Sequence, residues 1–260
     1  MIVLGDEVVL RQMKLQAPRM GHDLVPRPNL IDRLDDGLDR SMTLVSAPPG
    51  FGKTTVLSEW FMRCPIPAAW LSLDEQDNDL VSFLVYFIAA VGTIFPKSFV
   101  KTQDLLHAPN LPQLDSLADT ISEELDNLPD DFVLVMDNFR NIVESSIHQV
   151  LYMILERNPS RMHLVIASRA DPPSPITRMR IGEQLAELRS VDLRFSKEET
   201  QLFFEKSLGH ILDDEAIIHL TGQSDGWIVR LRLISISIRS ADDNDAFLKM
   251  LDEKPGNHMI

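Results

Sequence analysis

Four short apolar runs stand out along the first two thirds of the chain. They are MTLVSA at 42–47, AAWLSL at 68–73, FVLVMD at 132–137 and HLVIAS at 163–168. Each is rich in aliphatic residues, and three of them end in a small or acidic residue. This pattern is typical of strands that are buried on both faces of a parallel sheet.

Between these runs, apolar residues recur at the spacing of a helix. The predicted helices cover residues 54–63, 80–95 and 144–157. In the third of them, apolar positions recur at i, i+3, i+4 and i+7 from Ile147. Because strands that alternate with helices imply crossover connections, we predict an α/β fold with a doubly wound, mainly parallel sheet flanked by helices.

The strand signals stop at about residue 195, and three helical patterns follow. They cover 197–206, 213–222 and 227–240. Ser196 and Glu199 have the spacing of a capping box, which favours a helix start at that point. We therefore predict a small all-helical subdomain after the α/β region.

The most apolar segment, residues 80–95, is too short to span a membrane and contains Ser82, Gly92 and Thr93. It predicts a buried helix instead. At the N-terminus, Asp6 and Glu7 interrupt the apolar run before it reaches the length of a signal peptide. We expect neither export nor membrane binding.

Composition and charge narrow the function classes. The 260 residues include 39 acidic and 25 basic side chains, for a net charge of −14, which argues against a surface that binds DNA or a membrane. Cys64 is the single cysteine, so no intrachain disulfide can form. A reducing, cytoplasmic location is the expectation.

The strongest chemical signal is APPGFGKTT, which directly follows the first apolar run and directly precedes a predicted helix. It matches the phosphate-loop pattern except that Ala47 stands at the first glycine. Gly50 and Gly52 allow the backbone to curl so that successive amides converge on phosphate oxygens. Lys53 is expected to reach the β- and γ-phosphates, and the Thr54 hydroxyl to bind Mg²⁺. The predicted nucleotide-binding residues in this loop are Ala47, Pro48, Pro49, Gly50, Phe51, Gly52, Lys53, Thr54 and Thr55.

Two further strand ends carry candidate catalytic residues. The run VLVMD ends in Asp137, where a phosphate-loop enzyme needs a carboxylate for the magnesium shell. The run VIAS is followed by Arg169, whose forked guanidinium can contact a γ-phosphate and report its presence. An exposed arginine that simply begins a loop is the alternative interpretation.

The order of these blocks resembles the nucleotide-binding region of the MalT-like STAND ATPases, the large LuxR-type transcriptional regulators. The blocks are LVPRPNLIDRL, LVSAPPGFGKTT, WLSLDEQDND, VLVMDNF, LVIASR, LRSVDLRFSKEE and SDGWIVRLRL. The resemblance implies binding of ATP or ADP with Mg²⁺, Lys53 and Thr54 as the phosphate-loop pair, Asp137 as the Walker-B aspartate, and Arg169 as the sensor arginine. It also implies that Arg27 lies near the adenine.

The chain departs from this family at two positions. Relatives usually carry a second acidic residue where this chain has Asn138, and such a carboxylate can activate the attacking water. Since asparagine cannot accept a proton, slow or absent hydrolysis is expected. Ile228 stands where related proteins have a proline beside the nucleotide, after Gly226 and Trp227.

The expected organisation is an N-terminal extension (1–23), a P-loop nucleotide-binding domain (24–195), a helical subdomain (196–240) and a tail or the start of a winged helix (241–260). The expected function is a regulatory switch, either truncated or free-standing, that binds ATP or ADP without contacting DNA itself. Self-association or a regulator partner is a further expectation. The alternatives are a P-loop ATPase or kinase with a small-molecule acceptor, and an interaction scaffold that binds no nucleotide.

Overall fold

The computed structural model describes residues 3–4, 8–9, 11–21, 24–172, 176–209 and 211–240. These residues form two compact units. The first contains the described parts of 1–20, 28–49 and 53–190, and the second those of 21–27, 50–52 and 191–240. The predicted tail, 241–260, lies outside the described residues.

A five-stranded parallel sheet forms the centre of the first unit, with the strand order β4-β5-β6-β3-β7. Its strands are β3 (Met42–Ser46), β4 (Ala68–Ser72), β5 (Phe132–Asp137), β6 (Met162–Ser168) and β7 (Leu185–Arg189). A separate antiparallel pair is formed by β1 (Val3–Leu4) and β2 (Val8–Val9). The parallel arrangement and the four strands expected from the apolar runs are confirmed.

The helices that the structure describes are, in chain order, α1 (Pro28–Asp36), α2 (Lys53–Phe61), α3 (Leu80–Gly92), α4 (Val100–Leu106), α5 (Leu114–Asp126), α6 (Ser145–Arg157), α7 (Ile176–Ile181), α8 (Ser190–Leu193), α9 (Lys197–Leu208), α10 (Asp214–Ser224) and α11 (Ile228–Ser240). Short 3₁₀ helices cover Gln12–Leu15, Gly37–Asp39, Glu75–Asp77 and Phe139–Asn141. All six helices expected from the periodicity are present.

Successive side chains of a strand point to opposite faces of the sheet, and helices pack against both faces. Leu71 of β4 belongs to one large apolar core together with buried residues of α3, α5 and α6. Its neighbour Trp70 points the other way and meets Phe61 of α2 edge-on, with ring centroids 5.5 Å apart. Trp60 of α2 donates to Asp35 of α1 at 2.7 Å, so these two helices are joined.

Helix α3 is buried, as its composition predicts. Phe83, Leu84, Phe87 and Ala90 are fully inaccessible in the apolar core. Asp79 caps the helix by accepting from the amide of Ser82 at 2.9 Å. Among the described residues, no helix is long and apolar enough to cross a membrane.

The second unit contains α9, α10 and α11 around a small core that includes Phe204, Ile217, Leu220 and Leu231. The predicted capping box at the start of α9 is present. Residues 50–52 also belong to this unit, and the Phe51 ring stacks on Trp227 with centroids 6.3 Å apart.

Candidate functional site

The parallel sheet brings several predicted residues to one edge. In the strand register, Ser46 at the end of β3 lies opposite Ser168 of β6, and Ser72 of β4 lies opposite Asp137 of β5. The amide of Ala47 donates to the Ser168 carbonyl at 3.3 Å, which continues the pairing into the loop. Since carboxyl ends of parallel strands share an edge, the loops after β3, β5 and β6 leave the sheet side by side.

The loop between β3 and α2 requires glycine at two positions. Gly50 and Gly52 have φ values of 77° and 78°, in the left-handed region that residues with a Cβ rarely adopt. A Cβ built on Gly52 would meet nothing within 4 Å, so at that position the backbone angle alone selects glycine. The loop ends at Lys53, the first residue of α2, and thus leads directly into a helix N-terminus.

Lys53 bends back onto the start of its own loop. Its ammonium group donates to the carbonyl of Ala47 at 2.6 Å and to that of Pro48 at 3.0 Å. Burial lowers the pKa of Lys53, while the nearby Asp137 carboxylate raises it and Arg169 lowers it further. Lys53, Asp137 and Arg169 therefore act on one another electrostatically at this edge.

Asp137 and Thr54 form a pair of adjacent oxygen atoms. The Thr54 hydroxyl donates to one oxygen of the Asp137 carboxylate at 2.9 Å, and the backbone amide of Asn138 donates to the other oxygen at 2.8 Å. Asp137 is only 2% exposed. Burial raises the pKa of this carboxyl, although the hydrogen bonds and the charge of Lys53 act in the opposite direction.

The chemistry of this pair fits Mg²⁺, which prefers oxygen ligands and is usually held by one or two carboxylates together with phosphate oxygens. A divalent cation would also compensate the charge of the buried carboxylate. Among the described residues, no group of three or more His, Cys, Asp and Glu side chains is arranged to hold a metal without other ligands. Thr54 and Asp137 are thus two oxygen-bearing residues that could hold such a cation.

Asn138 and Arg169 lie at the exposed rim of this edge. Asn138 adopts a left-handed backbone conformation, with φ 59° and ψ 33°, which asparagine and aspartate tolerate better than most residues. The Arg169 side chain is exposed, and within the described part of the chain no hydrogen bond or ion pair holds it. Its guanidinium remains available to an anion.

Arg27 has a different environment. It lies in the second unit, is 8% exposed, and forms a two-pronged ion pair with Glu199, with both contacts at 2.9 Å. It also donates to the carbonyls of Leu193 and Arg194 at 2.7 and 2.6 Å, and it stacks over the Phe195 ring. These protein contacts account for its burial; its proximity to adenine remains a prediction.

Sequence reasoning did not single out a cluster of charged residues near the end of β3. Asp171, Arg180, Glu187 and Arg189 pair with one another there, and the nearby Ser46 hydroxyl helps to lower the pKa of Asp171. No motif contains them. Only the spacing of Asp171, two residues after Arg169, could have drawn attention to one member.

No protein-family model matches the chain, but individual proteins do. The chain is 31% identical over 231 residues to the HTH-type transcriptional regulator MalT of Yersinia pestis (strain Pestoides F), covering 89% of this chain and 26% of that protein. The regulator of the same name from Serratia proteamaculans (strain 568) is 29% identical, with coverages of 89% and 25%. The chain thus spans about a quarter of the length of these relatives.

A solved structure has a similar fold. It is a Signal Transduction ATPase with Numerous Domains (STAND) protein with a tetratricopeptide repeat sensor from Pyrococcus horikoshii, with a TM-score of 0.65. The match covers 90% of this chain and 33% of that one at 14% sequence identity. At this identity the match establishes the fold, and the P-loop architecture expected from the sequence is confirmed.

Proposed function

We propose that this chain, which is related in sequence to MalT regulators and has the P-loop fold of STAND ATPases, binds ATP or ADP with Mg²⁺ and acts as a nucleotide-dependent regulatory switch. The observation that carries the proposal is the convergence of Lys53, Thr54 and Asp137 at the end of a glycine-containing loop. This combination of a cation, a hydroxyl and a buried carboxylate suits a magnesium-bound polyphosphate.

Each residue has a distinct part in the proposed site. The loop amides and the Lys53 ammonium would bind phosphate oxygens, and Lys53 would exchange its contacts with Ala47 and Pro48 for contacts with the ligand. Thr54 and Asp137 would hold Mg²⁺, which neutralises phosphate charge when bound. Arg169, exposed at the same edge, would contact the γ-phosphate and so distinguish ATP from ADP.

Slow hydrolysis follows from Asn138 in this proposal. Its amide side chain cannot take a proton from water, and its exposed position leaves room for a carboxylate. Asn138→Asp should therefore raise the rate of phosphate release, by about 10²-fold if the new carboxylate acts as a general base. The left-handed backbone is compatible with both residues, so melting temperature should change little. A folded variant with unchanged turnover would contradict this role of residue 138.

One experiment separates the proposed switch from two other functions. The purified chain is denatured, any released nucleotide is identified, and phosphate release is then assayed with and without small-molecule acceptors. Bound ADP or ATP with negligible turnover supports the switch. Turnover that requires an acceptor would instead indicate a kinase, and a chain that neither carries nor binds nucleotide would indicate a scaffold.

A further inference from the structure

The charged cluster defined above, Asp171, Arg180, Glu187 and Arg189, joins the segment after β6 to helix α7 and strand β7. Arg189, the last residue of β7, binds both carboxylate oxygens of Asp171, with Nη2 at 3.1 Å from Oδ2. Arg180 of α7 contacts Asp171 at 2.9 Å and Glu187 at 2.7 and 2.8 Å. Asp171 is thus held by two guanidinium groups at once.

The cluster lies where the phosphate loop begins. In the strand register Arg189 is opposite Ser46, the last residue of β3. The Ser46 hydroxyl also lies close enough to the Asp171 carboxylate to help lower its pKa. Through Arg189, Asp171 and the segment that follows β6 are thus held beside the end of β3, and Arg169 is two residues earlier in that segment.

Stability alone does not explain this arrangement. The side chains of Asp171, Arg180 and Arg189 are 40%, 38% and 31% exposed, and ion pairs at such exposed positions contribute little to stability. A carboxylate held by two guanidinium groups nevertheless has few alternative conformations, so it fixes the backbone of its loop. Hydrogen bonding from Arg189 lowers the pKa of Asp171 to about 2, so the carboxylate stays ionised at neutral pH.

We propose that Asp171, held by Arg189 and Arg180, is a positioning residue that orients the loop carrying Arg169 and thereby sets the preference for ATP over ADP. The inference rests on the proposed nucleotide-binding function. Arg169 has a long, exposed side chain, and its contact with a γ-phosphate is strongest when its backbone is already in place. ADP lacks this phosphate, so its affinity should not depend on the cluster.

The test compares dissociation constants for Mg²⁺-ADP and a non-hydrolysable ATP analogue with magnesium. In Arg189→Met and Asp171→Asn, the preference for the ATP analogue should fall by about three- to tenfold, with ADP affinity unchanged. Arg189→Lys, which keeps the charge but not the forked geometry, should retain part of the preference. Arg178→Met is the matched control. Arg178 lies on α7, as Arg180 of the cluster does, but it pairs with Glu156 outside the cluster.

A double-mutant cycle separates positioning from general damage. In an Arg169→Met background, adding Arg189→Met should not change the ratio of the two affinities further, because the group being positioned is gone. Equal loss of both affinities, or a further change of the ratio in that background, would overturn the inference. Wild-type protein that binds ADP but shows no preference would also overturn it, whereas wild-type protein that binds neither nucleotide would overturn the proposed function itself.

Discussion

At Asp137, burial disfavours the ionised form of the carboxyl, whereas hydrogen bonds and the charge of Lys53 favour it. Its carboxylate is almost fully buried, and burial raises its pKa despite hydrogen bonds from Thr54 and the Asn138 amide. Such a group is unfavourable in its ionised form unless a cation is bound. We interpret this cost to folding as the consequence of keeping a magnesium ligand ready at the end of β5.

A substitution at Asp137 should expose this cost. Because the folded-state pKa is raised, the carboxyl contributes to stability at low pH, and this contribution is lost as pH rises through the folded pKa. At neutral pH Asp137→Asn should melt at or above the wild-type temperature without ligand. The difference should shrink on acidification towards about pH 4. Thermal unfolding across this pH range provides the measurement.

The same variant should lose the effect of magnesium on nucleotide binding, since a neutral amide is a weaker ligand for Mg²⁺. Asp131→Asn is the control, because Asp131 is an exposed carboxylate in an ion pair with Arg161. Lower stability of Asp137→Asn at neutral pH, or magnesium dependence equal to that of wild type, would contradict the assignment.

Arg27 is predicted to be essential to the second unit. Arg27→Met would leave Glu199 without its ion-pair partner and two carbonyls without donors, at a cost of about 3 kcal/mol in unfolding free energy. Lys197→Met removes an exposed ion pair with Asp214 in the same unit and should cost under about 0.5 kcal/mol. Urea unfolding compares the two, and equal small losses would show that the buried pair contributes little.

At the scale of elements, two helix ends offer a matched comparison. Gly209 after α9 and Gly226 before α11 have φ values of 76° and 65°. A Cβ on Gly209 would meet nothing within 4 Å, whereas one on Gly226 would lie 2.7 Å from the Phe195 carbonyl oxygen. Gly209→Ala should thus cost about 1 to 2 kcal/mol from backbone strain alone. Gly226→Ala should cost clearly more, and similar melting temperatures for both variants would contradict the close approach.

The buried strands could be predicted from the sequence because both of their faces are covered. β3, β5 and β6 are continuous apolar runs, and the structure places them within a residue of the predicted bounds. β7 was missed for a physical reason. It is a five-residue edge strand, LAELR, whose partly exposed Glu187 and Arg189 break the apolar run. The sequence analysis does not predict helices α1, α4, α5, α7 and α8 individually either.

The candidate site shows a similar limit. Lys53 and Thr54 could be identified because they lie in a local motif that follows a recognisable strand, and Asp137 because it ends one. The partners of Arg27 and Asp171 could not, since Glu199 and Arg189 lie 172 and 18 residues away in sequence. Such pairings depend on the tertiary fold, which brings distant charges together, and no local pattern encodes them.

At the scale of the whole molecule, the net charge is negative, whereas Lys53, Arg169 and the loop amides provide positive charge at the proposed site. The chain carries a net charge of −14, yet the proposed ligand is a polyanion. Charges farther than about 8 Å away are largely screened at physiological ionic strength, whereas Lys53, Arg169 and the loop amides act at contact. The local field at the sheet edge should therefore determine binding.

The central claim is that a phosphate loop with Lys53 at its end binds an adenine nucleotide, and isothermal titration calorimetry with Mg²⁺-ADP tests it most directly. Wild type should give a saturable binding heat, Lys53→Met should bind at least about tenfold more weakly, and Lys101→Met, which alters an exposed lysine paired with Glu123, should match wild type. Absence of binding heat in wild type, or equal affinity in Lys53→Met, would contradict the account.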